Sequence, residues 1–342
     1  MDSRPTAQTA QTAQTAQTSQ TSLPRRMWLS TAAAALAACA LPAWAQKRGS
    51  RLVVPFAPGG GNDVFARQMA HGLNESFGYG MIVENKAGAG GAIAMDMVAK
   101  ATADGYTLGF SSVSPLVLSP HLGRLPYDPV RDIAPVASVM VSPVLLLATP
   151  ACTARDFPAL LAQAKARPGD IRWATSGLAS LGHIMLEQIM LGTQAKITHV
   201  PYKGGGQQLT DALSGQFEVL STNAGPAVAQ QIQAGKLRPL AVGAPQRVDG
   251  MPATPTLAEL GLPAANLSSQ FGLFAPGRLP ASLLERLNAE VNKALAAPDL
   301  RNRLLTTGNV PTGGAAADFA REIAQESQAN ANIIRAANIR LD

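Results

Sequence analysis

Cysteine is nearly absent: Cys39 and Cys152 are the two in 342 residues. If Cys39 leaves with a cleaved leader, Cys152 has no intramolecular partner. That excludes an internal disulfide and leaves stability to a large apolar core. The four histidines, His71, His121, His183 and His199, are scattered, with no cysteine beside them and no pair at ligand spacing. A zinc-type centre is therefore not expected, and Asp104-Gly105 and the acids at 128–132 read as turn residues rather than cation ligands. Charged residues make up only 15% of the chain, and no Lys/Arg block carries interleaved aromatics, which removes nucleic acid as a partner. Beyond the leader no apolar run is long enough to cross a membrane.

The N-terminus is organised for export. The repeat TAQTAQTAQTAQTSQTS at 6–22 is too polar and too repetitive to pack a core. Arg25-Arg26 follows, then an apolar stretch from Met27 to Leu41, then the small-x-small triplet Ala43-Trp44-Ala45. This is the order of a signal peptide, with cleavage expected after Ala45 and a mature chain from Gln46. Pro24-Arg25-Arg26-Met27-Trp28-Leu29 also suits a twin-arginine route, and Sec and twin-arginine export stand on equal terms. Leu36-Ala37-Ala38-Cys39 resembles a lipobox, which would lipidate Cys39. The soluble reading is preferred because an Ala-rich stretch produces such tetrapeptides by chance. Without Arg4, Arg25, Arg26 and Asp2, 25 basic and 21 acidic residues remain. This mild positive excess favours anionic solutes.

From residue 51 onward, short apolar runs alternate with amphipathic segments. Arg51–Phe56 reads as a strand and residues 63–77 as a helix with Phe65, Met69 and Leu73 on one stripe. Strands follow at 81–84 and 106–111, with a helix between them near 92–101. Val136–Thr149 is apolar except at Ser142-Pro143 and reads as a crossing between lobes, and Leu237–Val242 reads as the return. Between them lie helices at 156–166, 180–190, 205–214 and 225–234 and strands at 171–175, 197–200 and 217–221. Such alternation predicts an α/β fold with a largely parallel sheet, here as two lobes joined by two crossings. The expected division is 1–45 leader, 46–142 plus 244–342 as a discontinuous first lobe, and 143–243 as the second.

Four loops leave the carboxyl ends of these strands, where open α/β sheets bind ligands. The first is Pro55-Phe56-Ala57-Pro58-Gly59-Gly60-Gly61, leading into a helix at Asn62 or Asp63. Its glycines allow close backbone approach, and a helix start offers unpaired N–H groups to an anion. No Lys-Ser/Thr follows and the pattern is not GxGxxG, so it is neither a nucleotide P-loop nor a dinucleotide fingerprint. Asp63 would repel an anionic ligand and reads as a helix cap. The second loop is Thr175-Ser176-Gly177-Leu178-Ala179-Ser180, with His183 in the first turn beyond it, facing the cleft rim or solvent. The third runs from Ser111 and Ser112 to Ser114-Pro115, and the fourth is Ser221-Thr222-Asn223-Ala224-Gly225-Pro226, similar but with an amide. The candidate ligand-binding set is Phe56, Ala57, Pro58, Gly59, Gly60, Asp63, Ser111, Ser112, Ser114, Ser176, Gly177, Ser180, His183, Tyr202, Asn223 and Gly225. A Ser180–His183 nucleophile is the catalytic alternative. It lacks an evident orienting carboxylate and the GxSxG elbow, so no catalytic residue, metal or cofactor is expected.

These loops, taken in order, resemble the Bug family of periplasmic solute receptors, also called the TctC or tripartite tricarboxylate transporter receptor family. The markers are PFAPGGGNDVFAR at 55–67, VENKAGAGG at 83–91, DGYTL at 104–108, LPYDPVRDIAPV at 125–136, ATSGLAS with His183, VPYKGGGQQLTDALSGQ at 200–216 and MPATPTLAELGLP at 251–263. The resemblance implies a clamshell with the site between lobes. It also implies a ligand carboxylate held by backbone groups and water at Ala57 to Gly60 and at Ser176, Gly177 and Ser180, with Tyr202 to Gly204 as family motif. One departure stands out: Gln270 occupies a position where the family usually has Trp, which would alter ligand preference if it bordered the cleft. The implied role is a monomeric periplasmic receptor for a small carboxylate, serving membrane permease subunits, with a sensor for a membrane signalling kinase as the alternative.

Overall fold

In a computed structural model, residues 49–77 and 80–336 are described. The polar repeat, the paired arginines, Cys39 and the Ala43–Ala45 site lie outside them. The β-branched run at residue 51 forms β1 (Arg51–Val54), and Pro55 begins the turn that follows it. Helix α1 (Gly61–Phe77) starts slightly earlier than its N-cap residues suggest. Phe65, Met69 and Leu73 are each at most 2% exposed, as their i, i+4, i+8 spacing requires. Burial of each such side chain stabilises the fold by about 1.5–3 kcal/mol.

Next come β2 (Ile82–Asn85), a 3₁₀ turn at Ala89–Gly91, α2 (Ala92–Ala99) and β3 (Thr107–Ser112). Two single-turn helices follow: α3 (Ser114–Val117), which begins within the hydroxyl-rich loop read at 111–115, and α4 (Ser119–Leu122) beyond it. Ser-Pro opens both, and proline suits a first helical turn.

The stretch expected to be broken at Ser142-Pro143 is one strand, β4 (Ile133–Ala148). Pro143 costs no break because the strand changes partners there. Ile133 to Pro143 pairs with β9 (Ser268–Pro276), and Val144 to Ala148 pairs with β7 (Val219–Asn223) and β8 (Arg238–Gly243). The second half also contains α5 (Phe157–Ala166), β5 (Arg172–Thr175), α6 (Leu181–Thr193), β6 (Thr198–Pro201), α7 (Gly205–Leu213) and α8 (Pro226–Gln233). The chain ends in α9 (Ala281–Ala296), α10 (Pro298–Thr306), β10 (Val310–Pro311) and α11 (Ala316–Ala336).

Strand order is β2-β1-β3-β9-β4-β7-β5-β6, with β8 and β10 also paired to β4. The β2-β1-β3 and β7-β5-β6 groups are parallel, as βαβ alternation predicts, while β9 and β4 run antiparallel between them. The sheet is therefore mixed rather than largely parallel, because β9 runs against β3, and β4 runs against both β9 and β7. Since β4 belongs to both halves, the described residues cohere as a single unit. One core cluster packs α1 and α9 on the first half through Phe65, Phe110, Phe271 and Leu287. Another surrounds Trp173, Ile184 and Ile189 in the second half.

Candidate functional site

The loops at the strand ends converge on a cavity of about 690 Å³. Three helices begin at its wall: α2 at Ala92, α6 at Leu181 and α7 just after Gly204. The α2 and α7 starts carry glycine N-caps, Gly91 and Gly204, with no side-chain hydrogen bond. Their first N–H groups and the positive ends of their dipoles suit an anion. Three wall groups have no hydrogen-bond partner among the described residues: Ser119 Oγ, Ser221 Oγ and Asn223 Nδ2. Ser119 and Ser221 are 6% and 2% exposed. Leaving a buried hydroxyl unpaired costs about 1–3 kcal/mol, so a ligand that pairs it gains that much. The charged groups on the wall are Arg124, Lys203 and Asp96, and Asp96 is bound by Lys100 at 2.7 Å. The balance is positive.

Two pairs of loops meet across this cavity. A Cβ added at Gly90 would lie 2.9 Å from Leu178 O, and one at Gly204 would lie 3.6 Å from Ala57 N. Each is a contact between the first half of the sheet and the second; a side chain would intrude at Gly90, whereas at Gly204 an added Cβ would make an ordinary contact.

The second predicted loop lies on the wall: Ser176, Gly177 and Ser180 line the cavity. Ser180 caps α6 by accepting from the His183 N–H. Gly177 and Ala179 have φ of +147° and +58°, the latter uncommon for a residue with a Cβ. His183 explains how Ala179 is held. It does not face rim or solvent; it is 5% exposed and its Nδ1 accepts from the Ala179 N–H at 3.4 Å. Its Nε2 is 3.5 Å from Glu187 Oε1, the orienting carboxylate that the sequence did not reveal. With both ring nitrogens so engaged, His183 positions the loop. The ring stacks on His199 at 4.3 Å and 7°. His199 Nε2 meets Thr175 Oγ1 at 2.7 Å, and that hydroxyl also lies 3.1 Å from Gly177 O, which ties the ring to the second loop. Burial, followed by the neighbouring His183, depresses the His199 pKa to about 4.

The first predicted loop is arranged differently. Phe56 lines the cavity, but Ala57, Pro58, Gly59, Gly60 and Asp63 do not. The Gly59 N–H, expected to face a ligand, donates to Asp63 Oδ2 at 2.9 Å, and the Gly60 N–H donates to Ala57 O at 3.4 Å. Asp63 is 2% exposed and also accepts from Arg67 Nε (2.9 Å) and Asn85 Nδ2 (2.7 Å). Burial raises its pKa, but the bonds from Arg67, Asn85 and Gly59 outweigh that and hold it below the ordinary value. This loop packs against Gly204 and Gly206 of the opposite half.

Of the remaining candidates, Ser112, Ser114, Tyr202 and Asn223 line the cavity. Ser111 sits inside β3 with no exposure, and Gly225 is the N-cap of α8 away from the wall. Gln270 does not border the cavity. It donates to Glu322 on α11 at 2.6 Å, while its neighbours Ser269 and Phe271 lie on the cavity side of β9, Phe271 fully buried beneath the wall. The two-residue period of β9 turns it away. Sequence reasoning missed the wall at Gly88–Ile93, together with Ser119 and Phe271, and left Ser221 out of the candidate set although it opens the fourth loop. The 88–91 glycines had the same strand-turn-helix form as the chosen loops and were legible by that rule. Among the described residues, no group of three His, Cys, Asp or Glu could hold a metal.

The model of the tripartite tricarboxylate transporter family receptor matches residues 65–339. Protein BugT of Bordetella pertussis is 38% identical over 86% of this chain and 90% of its own. A solved periplasmic transporter matches with TM-score 0.82 and 37% identity, covering 86% of this chain and 98% of that one. The R. palustris protein Rpa4515, solved with adipate, matches with TM-score 0.80 and 32% identity over 85% and 97%. The fold is the two-lobe α/β clamshell of periplasmic binding proteins. The chain belongs to the tripartite tricarboxylate transporter family of receptors.

Proposed function

We propose that this chain is a periplasmic receptor that closes its two lobes on a small carboxylate-bearing solute and presents it to membrane permease subunits. The carrying observation is the convergence of three helix starts and the unpartnered Ser119 and Ser221 hydroxyls on one positively balanced cavity. Adipate in the related R. palustris protein supports a carboxylate as the ligand. The lobes are 46–142 plus 244–342 and 143–243. The hinge is the partner change of β4 at Pro143 and the exit from β8 at Gly243. Ser176, Gly177, Ser180, Ser112, Ser114, Tyr202 and Asn223 form the polar wall, and His183 acts through Ala179. The Ala57–Gly60 loop, with Asp63 as its anchor, takes part by meeting Gly204 and Gly206 as the lobes close. The mature chain begins at Gln46 and acts as a monomer.

Thermal melts of the mature protein with carboxylates and with neutral sugars test this. A carboxylate at a hundred times its dissociation constant adds about 2.7 kcal/mol to the folded state. Shifts with sugars and none with carboxylates would overturn the reading. Native mass spectrometry of gently purified protein identifies the retained solute.

A further inference from the structure

The wall also carries apolar groups that a compact polar acid would leave unused. An apolar cavity of about 150 Å³ suffices for benzene, and this one is more than four times larger. Phe56 and Phe271 lie 5.9 Å apart at 47°, and Phe271 stacks on Phe110 at 5.9 Å and 24°. Phe110 and Phe271 are fully buried, so this aromatic floor is fixed by the core. Facing the same space are Ile93, 50% exposed, and Leu178, 41% exposed. Leu178 stands on the 176–180 loop and Ile93 in the first turn of α2, directly after the 88–91 loop that meets it. Large apolar side chains this exposed on a concave wall gain by burial against an apolar ligand surface. The unpartnered polar groups, by contrast, are confined to Ser119, Ser221 and Asn223.

From this composition of the wall, and resting on the carboxylate reading above, we propose that the solute is amphipathic. It carries a carboxylate at the Ser/Gly loops and an apolar body at least the size of an aromatic ring. That body lies on Phe56, which Phe271 backs from the core, and is covered by Ile93 and Leu178. Compact hydroxy-acids would satisfy the polar groups and leave the apolar wall wet, so they are weaker ligands.

Calorimetric titration of the mature chain with straight-chain monocarboxylates of four to ten carbons, phenylpropanoate, malate and citrate decides it. Affinity is expected to rise about fourfold per buried methylene until the cavity is full, with a negative heat-capacity change. Phenylpropanoate is expected to bind at least about tenfold tighter than malate. Ile93→Asn and Leu178→Asn are expected to flatten the chain-length series, with the melting temperature unchanged because both side chains are exposed. Ser221→Ala is expected to weaken every member equally. A flat series in the wild type, or malate or citrate binding tightest, overturns the proposal. The matching neutral amides separate the two ideas. If octanamide binds as well as octanoate, the apolar body stands and the carboxylate reading falls. If no acid or amide binds, both fall.

Discussion

Gly90→Ala isolates the contact between the two halves of the molecule. Two costs arise, and they act on different quantities. Gly90 has φ +58°, and an alanine there is strained by about 1–2 kcal/mol whether or not the lobes are closed. That cost lowers stability and leaves affinity alone. The second cost arises only when the 88–91 and 176–180 loops meet: the new Cβ would lie 2.9 Å from Leu178 O, a backbone atom that cannot swing aside. Overpacking of this kind costs about 1–3 kcal/mol, and if it applies to the closed form alone it weakens binding by about fivefold to about a hundredfold. Gly235→Ala is the control, since Gly235 has φ +69° with nothing within 4 Å of an added Cβ. The assay is paired: melts report strain, and calorimetric titration of the tightest carboxylate reports closure. Both variants are expected to lose similar stability, and only Gly90→Ala to lose affinity. Wild-type affinity in Gly90→Ala would show that these loops do not meet around the bound solute.

Three further outcomes are expected. Ser221→Ala removes a buried hydroxyl without a partner, so the ligand-free protein keeps or gains stability, while affinity falls about tenfold for one lost hydrogen bond; melts and titration check both. Asp63→Asn weakens the bonds from Gly59, Arg67 and Asn85 and destabilises by about 1.5–3 kcal/mol with little change in affinity. Because the folded Asp63 pKa is depressed, its contribution is present above the unfolded value and is lost as pH falls through the folded value. Urea midpoints measured downward from pH 5 should therefore fall more steeply in wild type than in Asp63→Asn. His199, with a folded pKa of about 4, should stay neutral by NMR across pH 5 to 8. The unfolded chain protonates first, so His199 costs the fold stability progressively as pH falls from 6.5 towards 4.

Much of the architecture was written in local pattern. The stripe of Phe65, Met69 and Leu73 defines a helix face by spacing alone, and the βαβ alternation with Gly/Ser loops at strand ends identifies the class of site. The polar second loop could be named because Ser176, Gly177 and Ser180 carry their chemistry within six residues. Pattern could not say which glycine loops reach the cavity. The 57–60 and 88–91 loops look alike in sequence, yet only the second lines the wall, because in the first the Gly59 N–H is taken by Asp63. The face of Gln270 was likewise undetermined: a strand's period is local, but its absolute phase is set by which partner, here β4, it pairs with. His183, Glu187 and His199 show the limit most clearly. Glu187 follows His183 by one helical turn and was legible in principle. His199 lies on β6, and only the parallel register of Trp173 with His199, beside a helix packed on the same strands, brings the two rings together. That contact holds the loop shape, and no local pattern contains it, because it exists only once the sheet has formed.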